Sequence, residues 1–173
     1  ENDSLPVTSL AADPKEMFGA GGVYSAIMNR NVRCDAQVAF FEEGGEGFSA
    51  GCSIELHGAN SRNTFLKKSF ELKFLSRTVG SVNYDLFGDG EVTEFSSLLL
   101  RGGSNVNLDT VRDCFASELI EDVYPSLYPQ KVRYTAVYIN GQYYGVYAWR
   151  EDYSEDYYAA HTGADPAGVT MAR

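Results

Sequence analysis

The stretch that decides the fold runs from Arg62 to Phe74 and reads RNTFLKKSFELKF. From Lys67 onward, polar and apolar residues alternate as in a β-strand, with an apolar face formed by Phe70, Leu72 and Phe74. The same alternation places Lys68 on that apolar face. A buried ammonium group is costly unless it meets an anion. The sequence therefore predicts either an anion site at Lys68 or a basic sheet edge whose lysine extends to water.

Positive charge is concentrated around this strand although the chain as a whole is acidic. The formal net charge is −10, which argues against unassisted binding to nucleic acid or to an anionic membrane. Between residues 62 and 77 a single acid, Glu71, stands among five basic residues, which are Arg62, Lys67, Lys68, Lys73 and Arg77. A loop of small and polar residues precedes the strand, an arrangement that several folds use to hold phosphate. The pattern indicates a local anion site.

Other sequence features narrow the class of protein. No apolar run is long enough to span a membrane. The first residues, ENDSLPVTSL, lack a signal-peptide pattern, so we expect a cytosolic chain or one that has already been processed. The three cysteines lack the spacing of a zinc site, and we expect no metal site. A disulfide between Cys34 and Cys52 is conceivable if the two residues lie on paired strands.

The fold class predicted from these patterns is α+β, a mostly antiparallel sheet with one main helix packed on it and a short C-terminal helix. Asp109 is a suitable N-cap for the main helix, which we expect to end near Val123. Asn140-Gly141 predicts a two-residue hairpin turn. We expect residues 153–160 to form the short C-terminal helix and residues 169–173 to form a last strand. Residues 1–173 would form a single domain or a domain fragment.

The main helix has an unusual distribution of charge. Its predicted core-facing stripe consists of Val111, Phe115, Leu119 and Val123. Arg112 and Glu118 lie within or beside this stripe, where each charge would need a partner. The simplest partner for Glu118 is Lys68, as in the lysine–glutamate pair of protein kinases. Two alternatives remain open, a structural salt-bridge cluster under the helix and a helix rotated so that Glu118 reaches solvent.

Three sequence blocks then suggest a family. They are GANSRNTFLKKSFELKF at residues 58–74, SLLLRGGSNVNLDTVRDCFASELIEDV at 97–123, and VYINGQYYGVYAWREDYSEDYYAAHTG at 137–163. In this order and spacing the chain resembles the spore-coat CotH kinase family, and residues 5–25 and 32–58 look like that family's N-terminal strands. The resemblance covers nearly the whole chain.

What the resemblance implies is the ATP-binding N-terminal portion of an atypical Ser/Thr protein kinase that uses Mg²⁺. The partner would be a Ser/Thr-containing protein substrate, and the location would be extracellular or on a bacterial cell surface or spore coat. Lys68 would contact the phosphates and Glu118 would pair with it, while Glu151 would lie near the base or ribose. The remaining binding candidates are Ser61, Arg62, Arg101 and Arg112.

The sequence departs from the family's pattern in the segments that carry the catalytic residues. The family's catalytic acid and metal-binding aspartates belong to blocks resembling DNxxxNxY and WDxD, and neither block occurs here. Asp85-Leu86-Phe87-Gly88 resembles a kinase metal motif, but an extra leucine breaks its spacing. We therefore expect no catalytic and no metal residue in these residues, and little or no phosphotransfer by them.

A noncatalytic binding or coat-assembly module is an alternative function of a different class. The hairpin around Asn140-Gly141 is rich in aromatic residues, namely Tyr138, Tyr143, Tyr144, Tyr147 and Trp149. Such residues can form a platform for sugar or protein. Strand alternation divides them between two faces, so most of them are expected to be core.

Overall fold

Seven β-strands close into a barrel in the computed structural model, which describes residues 5–26, 32–45, 47–58, 62, 66–75, 80–103 and 110–171, with the side chains of residues 110, 113 and 125 left out. The barrel strands are β1 (Val7–Ala12), β2 (Arg33–Phe41), β3 (Gly47–His57), β4 (Ser69–Phe74), β7 (Ser97–Arg101), β8 (Val132–Ile139) and β9 (Gln142–Glu151). Strands β5 (Val82–Asn83) and β6 (Glu94–Phe95) form a separate two-stranded sheet. The described helices are α1 (Pro14–Phe18), α2 (Thr110–Val123) and α3 (Glu155–Thr162), with short 3₁₀ turns at Val23–Ser25, Pro125–Leu127 and Pro166–Gly168.

The strand order around the barrel is β1-β2-β3-β4-β7-β9-β8. Neighbouring strands are antiparallel except at the closing pair, where β1 and β8 run parallel. The predicted hairpin between β8 and β9 is confirmed, since Asn140 and Gly141 both adopt the positive φ angles that a tight two-residue turn requires. Closure leaves no free edge on any of the seven strands.

The hydrophobic core fills the inside of the barrel. Inward residues alternate along every strand, and the largest fully buried side chains include Trp149, Tyr147, Phe40 and Phe70. The polar end of Trp149 is satisfied inside the core, because its Nε1–H donates to Thr8 Oγ1 at 2.8 Å. The Thr8 hydroxyl is also hydrogen-bonded to that of Thr135, likewise at 2.8 Å. This link ties β1, β8 and β9 together at the closure.

The prediction of an α+β fold with a main packed helix is wrong, because the sheet closes on itself and encloses its own core. Helix α2 instead lies on the outer face of β8 and β9. Its contact side includes the buried Cys114 and the half-buried Ser117, whose Oγ accepts a hydrogen bond from Arg150. No helix is therefore needed to cover the inward face of the sheet.

The apolar stripe of α2 accordingly does not face the core as predicted. Its members are 51–59% exposed, and they are Val111, Phe115, Leu119 and Val123. The helix is rotated relative to the prediction, so that the side expected to face solvent makes the contacts. Periodicity correctly groups the residues that share a face, but it does not say which face meets a neighbour.

Two smaller predictions are also corrected. Residues 169–171 form no strand in the described part of the C-terminus. Cys34 and Cys52 do lie on the paired strands β2 and β3, but in diagonal register, since Cys34 pairs with Ile54 and Cys52 with Ala36. Both thiols are buried and free, and burial raises their pKa values, to about 11 for Cys34 and about 12 for Cys52.

The strand directions define two ends of the barrel. At one end β3 finishes at His57, β4 starts at Ser69 and β7 finishes at Arg101. At the other end β8 starts at Val132 and β9 finishes at Glu151. These two ends differ in charge, and the difference organises the candidate site.

Candidate functional site

Five basic residues collect at the first of these ends, which we call the cationic end and define as His57, Arg62, Lys67, Lys68 and Arg101. The register builds it, because His57 pairs with Ser69 and the β4–β7 ladder carries Ser69 alongside Arg101. The Gly102 N–H donates to Ser69 Oγ at 2.9 Å, which fixes the end of β7 against the start of β4. His57, Ser69 and Arg101 thus form one row across three strands.

Lys68 is buried, as its place in the alternation predicts, with a relative exposure of 8%. Its ammonium group donates a hydrogen bond to the backbone carbonyl of Arg62. Burial lowers the pKa of Lys68 below its ordinary value. A carbonyl oxygen satisfies one donor of the ammonium group but does not neutralise its charge.

Lys67 and Tyr24 hold the segment that carries Lys68. Lys67 donates to the Val146 carbonyl of β9 and lies over the Tyr147 ring, 4.7 Å from its centroid. The Tyr24 hydroxyl donates to the Leu66 carbonyl at 3.0 Å. These contacts attach the start of β4 to β9 and to the 3₁₀ turn at Val23–Ser25. The segment Leu66–Lys68 is therefore positioned from two sides.

His57 is held neutral by its surroundings. Burial, followed by the charges of Arg101 and Arg62, lowers its pKa to about 4, while Glu55 acts in the opposite sense. The Nε atom of Arg62 is buried and has no hydrogen-bond partner within the described residues. Donors and positive charge thus converge at the cationic end, and the two guanidinium groups have the planar geometry that suits phosphate or carboxylate.

The predicted pair between Lys68 and Glu118 does not form in the described structure. Glu118 is exposed on α2, as is Arg112. The reason is geometric, since α2 lies outside the barrel on β8 and β9, whereas Lys68 directly precedes β4 and is bonded to the Arg62 carbonyl. Of the alternatives left open by the sequence, the rotated helix that releases Glu118 to solvent is the one observed.

Glu151 lies at the opposite end of the barrel from Lys68. It is 3% exposed, and both carboxylate oxygens are bonded. One lies 2.8 Å from His161 Nε2, and the other accepts from the Lys131 N–H at 3.0 Å. The structure thus places Arg62 and Arg101 near His57 and joins Lys68 to the Arg62 carbonyl, and it separates these residues from Arg112, Glu118 and Glu151. Ser61 lies outside the described residues.

Around Glu151 lies what we call the acidic end, defined as Asp89, Glu91, Glu121, Lys131, Glu151 and His161. The Lys131 ammonium contacts Asp89 at 2.9 Å, Glu91 at 3.4 Å and also Glu121. Burial opposes its charge, but the hydrogen bonds with Glu121 and Asp89 prevail and raise the pKa of Lys131. The hydrogen bond with Glu151 likewise raises the pKa of His161, against the effect of burial. A cleft of about 590 Å³ is lined in part by these residues.

Sequence reasoning missed the perturbed groups at both ends. Neither His57 nor His161 is among the candidate residues predicted from the sequence. Asp152 was given no binding role, yet burial, followed by the charge of Glu71, raises its pKa to about 6. The one available signal was position, because His57 directly precedes the loop that leads to Lys68.

The aromatic hairpin does not form a platform. Tyr147 and Trp149 are fully buried in the core, whereas Tyr143 is 59% exposed and packs beside Tyr138. Across the described ranges, no group of three or more His, Cys, Asp or Glu side chains is arranged to hold a metal ion. Nor does any helix in those ranges have the length and apolar character needed to cross a membrane.

Comparison with known proteins gives one family. The sequence profile described as CotH kinase protein matches residues 54–173, well over half of the chain. The match begins within β3 and includes every residue of the cationic end. A search of curated proteins finds no match to the chain.

Proposed function

Because the chain belongs to the CotH kinase family, we propose that it forms the nucleotide-binding part of an ATP-dependent Ser/Thr protein kinase, with the triphosphate bound at the cationic end. The observation that carries this proposal is the placement of Arg62 and Arg101 around His57, with Lys68 bonded to the backbone carbonyl of Arg62, in a chain whose net charge is −10. Charge of one sign at one end of an otherwise acidic molecule favours an anionic ligand there.

The donor set suits a phosphate chain. Lys68 supplies a compact positive charge whose only described hydrogen-bond partner is a carbonyl oxygen, so the charge itself remains to be neutralised. Arg62 and Arg101 supply guanidinium groups that can each bind two phosphate oxygens. Lys67 acts indirectly, by fixing the segment that carries Lys68. These residues would bind and orient the phosphates.

The ligands that Mg²⁺ requires differ from those that bind a phosphate chain. Hard divalent cations require several oxygen ligands, chiefly carboxylates. The carboxylate nearest to His57 along its strand is Glu55, which is already engaged by Arg33 at 3.1 Å and Lys73 at 3.3 Å. The described residues of the cationic end therefore do not fit a magnesium site, and no step is assigned to the metal here.

The proposal leaves out three of the residues considered from the sequence. Arg112 and Glu118 lie on the exposed side of α2, and both oxygens of Glu151 are bonded within the acidic end. Ser61 stays a prediction. The sequence also lacks the family's catalytic blocks, so we propose nucleotide binding without phosphotransfer by these residues. The substrate, a Ser/Thr-containing protein at a bacterial surface or spore coat, rests on the family alone.

The decisive test compares Lys68, which directly precedes β4, with Lys73 near the end of the same strand. Lys68→Met removes the buried charge, whereas Lys73→Met removes an exposed one that pairs with Glu71 and Glu55 on the outer face. A charge-assisted hydrogen bond contributes about 1.5–3 kcal/mol, so Lys68→Met should weaken binding of ATP or tripolyphosphate about 10- to 100-fold. Lys73→Met should leave binding within about twofold.

Isothermal titration calorimetry on the intact chain measures both affinities, and circular dichroism checks that each variant is folded. Equal losses in the two variants would show that binding depends on overall charge and not on the cationic end. No binding of either ligand to the wild-type chain would refute the proposal.

A further inference from the structure

We propose that His57 is itself an anion-binding residue of the cationic end and takes up a proton from solvent when a phosphate group binds there. The inference rests on the proposed function, because it needs an anion at this end of the barrel. It adds a residue that is not among the candidates predicted from the sequence, and a dependence on pH that the other binding residues do not provide.

The position of His57 supports a direct role. It is the last residue of β3, and its partner Ser69 directly follows Lys68. The row continues to Arg101, whose strand end is fixed by the hydrogen bond from Gly102 N–H to Ser69 Oγ. Paired residues in a sheet project to the same face, so His57 and Arg101 flank Ser69. An anion that contacts Arg101 therefore lies within reach of the imidazole.

The charged groups around His57 explain why it is neutral without an anion. Arg101 on β7 and Arg62 on the preceding segment act on it with positive charge. From its own strand, Glu55 acts in the opposite sense, but Arg33 and Lys73 bond that carboxylate and offset its charge. Burial adds to the cost of a third positive charge, and together these effects set the pKa of about 4.

A bound phosphate reverses this balance. Its negative charge offsets Arg62 and Arg101, so the imidazolium form becomes favourable and can donate a hydrogen bond to a phosphate oxygen. One proton moves from solvent to a ring nitrogen, and no covalent bond changes. By linkage, binding then strengthens as pH falls through the raised pKa of the complex, and levels off below the pKa of free His57. Each unit by which the anion raises that pKa corresponds to about a tenfold gain in affinity.

Calorimetry of tripolyphosphate binding to the intact chain tests the inference. Titrations near pH 5, between the pKa of free His57 and its raised value in the complex, in two buffers that differ in ionisation enthalpy give the number of protons taken up. The matched variant His57→Gln subtracts the protons that the probe itself exchanges. The wild-type chain should take up about 0.5–1 proton more than the variant.

Nuclear magnetic resonance keeps the test independent of the variant's folding. The imidazole signals of His57 and His161, the chain's two histidines, are followed against pH with and without sulfate, an anion that does not titrate in this range. Sulfate should raise the pKa of His57 by at least about one unit and leave that of His161 unchanged.

The outcomes separate the two proposals. Binding with no difference in proton uptake, and with no movement of the His57 titration, overturns the role of His57 while leaving the anion site in place. Absence of binding by tripolyphosphate overturns both. Equal shifts of the two histidines on adding sulfate would indicate general screening by salt, and would also overturn the inference.

Discussion

The two ends of the barrel each contain one of the chain's two histidines, and their pKa values move in opposite directions. His57 at the cationic end is half-buried near Arg101 and Arg62, and burial, followed by these two charges, lowers its pKa to about 4. His161 at the acidic end is hydrogen-bonded to Glu151, which raises its pKa. The two imidazole groups thus experience local electrostatic potentials of opposite sign at the two ends of the barrel.

The two ends of the barrel differ in the partners of their charged side chains. At the acidic end Lys131 contacts three carboxylates and His161 contacts the carboxylate of Glu151, so each basic side chain there has a carboxylate partner. At the cationic end Lys67 and Lys68 donate to backbone carbonyls instead. A hydrogen bond to a carbonyl satisfies a donor and leaves the net charge. Among the described contacts of these two lysines, no carboxylate offsets their positive charge.

The largest expected effect on stability comes from Lys131→Met. This change leaves Asp89, Glu91 and Glu121 close together without the cation between them, and it should lower the free energy of unfolding by about 2 kcal/mol. Lys68→Met should cost less than about 1 kcal/mol, because no carboxylate in the described structure depends on that lysine. Urea unfolding measures both, with and without added salt.

Added salt should reduce the cost of Lys131→Met, since it screens the repulsion among the exposed carboxylates. If Lys68→Met proved the more destabilising of the two, the assignment of internal charge balance to the acidic end would be wrong.

A comparable effect separates the two histidines by the pH dependence of stability. The pKa of folded His57 lies below the ordinary value of 6.5, so the unfolded chain binds the proton more tightly and stability falls between about pH 6.5 and 4. His57→Gln should remove this loss and gain about 2 kcal/mol near pH 5 relative to wild type, compared with the same difference at pH 8.

His161 should show the opposite sign. Its pKa is raised on folding, so its stabilising contribution is present below 6.5 and is lost as pH rises through the folded value. His161→Gln should therefore cost more near pH 6 than near pH 8. Thermal unfolding across this range checks both variants, and parallel curves for the two would contradict the contrast between the ends.

The smallest effect is expected on α2, the helix that contacts β8 and β9 and carries Glu121 of the acidic end. Phe115→Ser changes a side chain that is 59% exposed, so stability should change by no more than about 0.5 kcal/mol. Its neighbour Cys114 is 2% exposed, and Cys114→Ser should cost about 1 kcal/mol because it buries a hydroxyl. Chemical denaturation of the pair shows which face of the helix is packed.

A loss on Phe115→Ser that exceeded the loss on Cys114→Ser would mean that the apolar stripe is buried in solution. The helix would then have the orientation that the sequence predicted and not the one described here.

Much of the local structure was predictable from sequence. Strand alternation predicted that Lys68 is buried, and Asn140-Gly141 predicted the β8–β9 hairpin. The Lys68–Glu118 pair was not predictable in the same way, because it assumed that α2 covers the inward face of the sheet. Because the barrel is closed, the inward face of the sheet packs against the hydrophobic core and not against α2.

By itself, the sequence determined which side chains share a face and where positive charge is concentrated, because both follow from spacing along the chain. Tertiary structure alone decided that β1 pairs with β8, that α2 lies outside the barrel, and that His57 lies beside two guanidinium groups. Each of these depends on contacts between segments far apart in sequence. Spacing within a segment carries no information about which distant segment will pack against it.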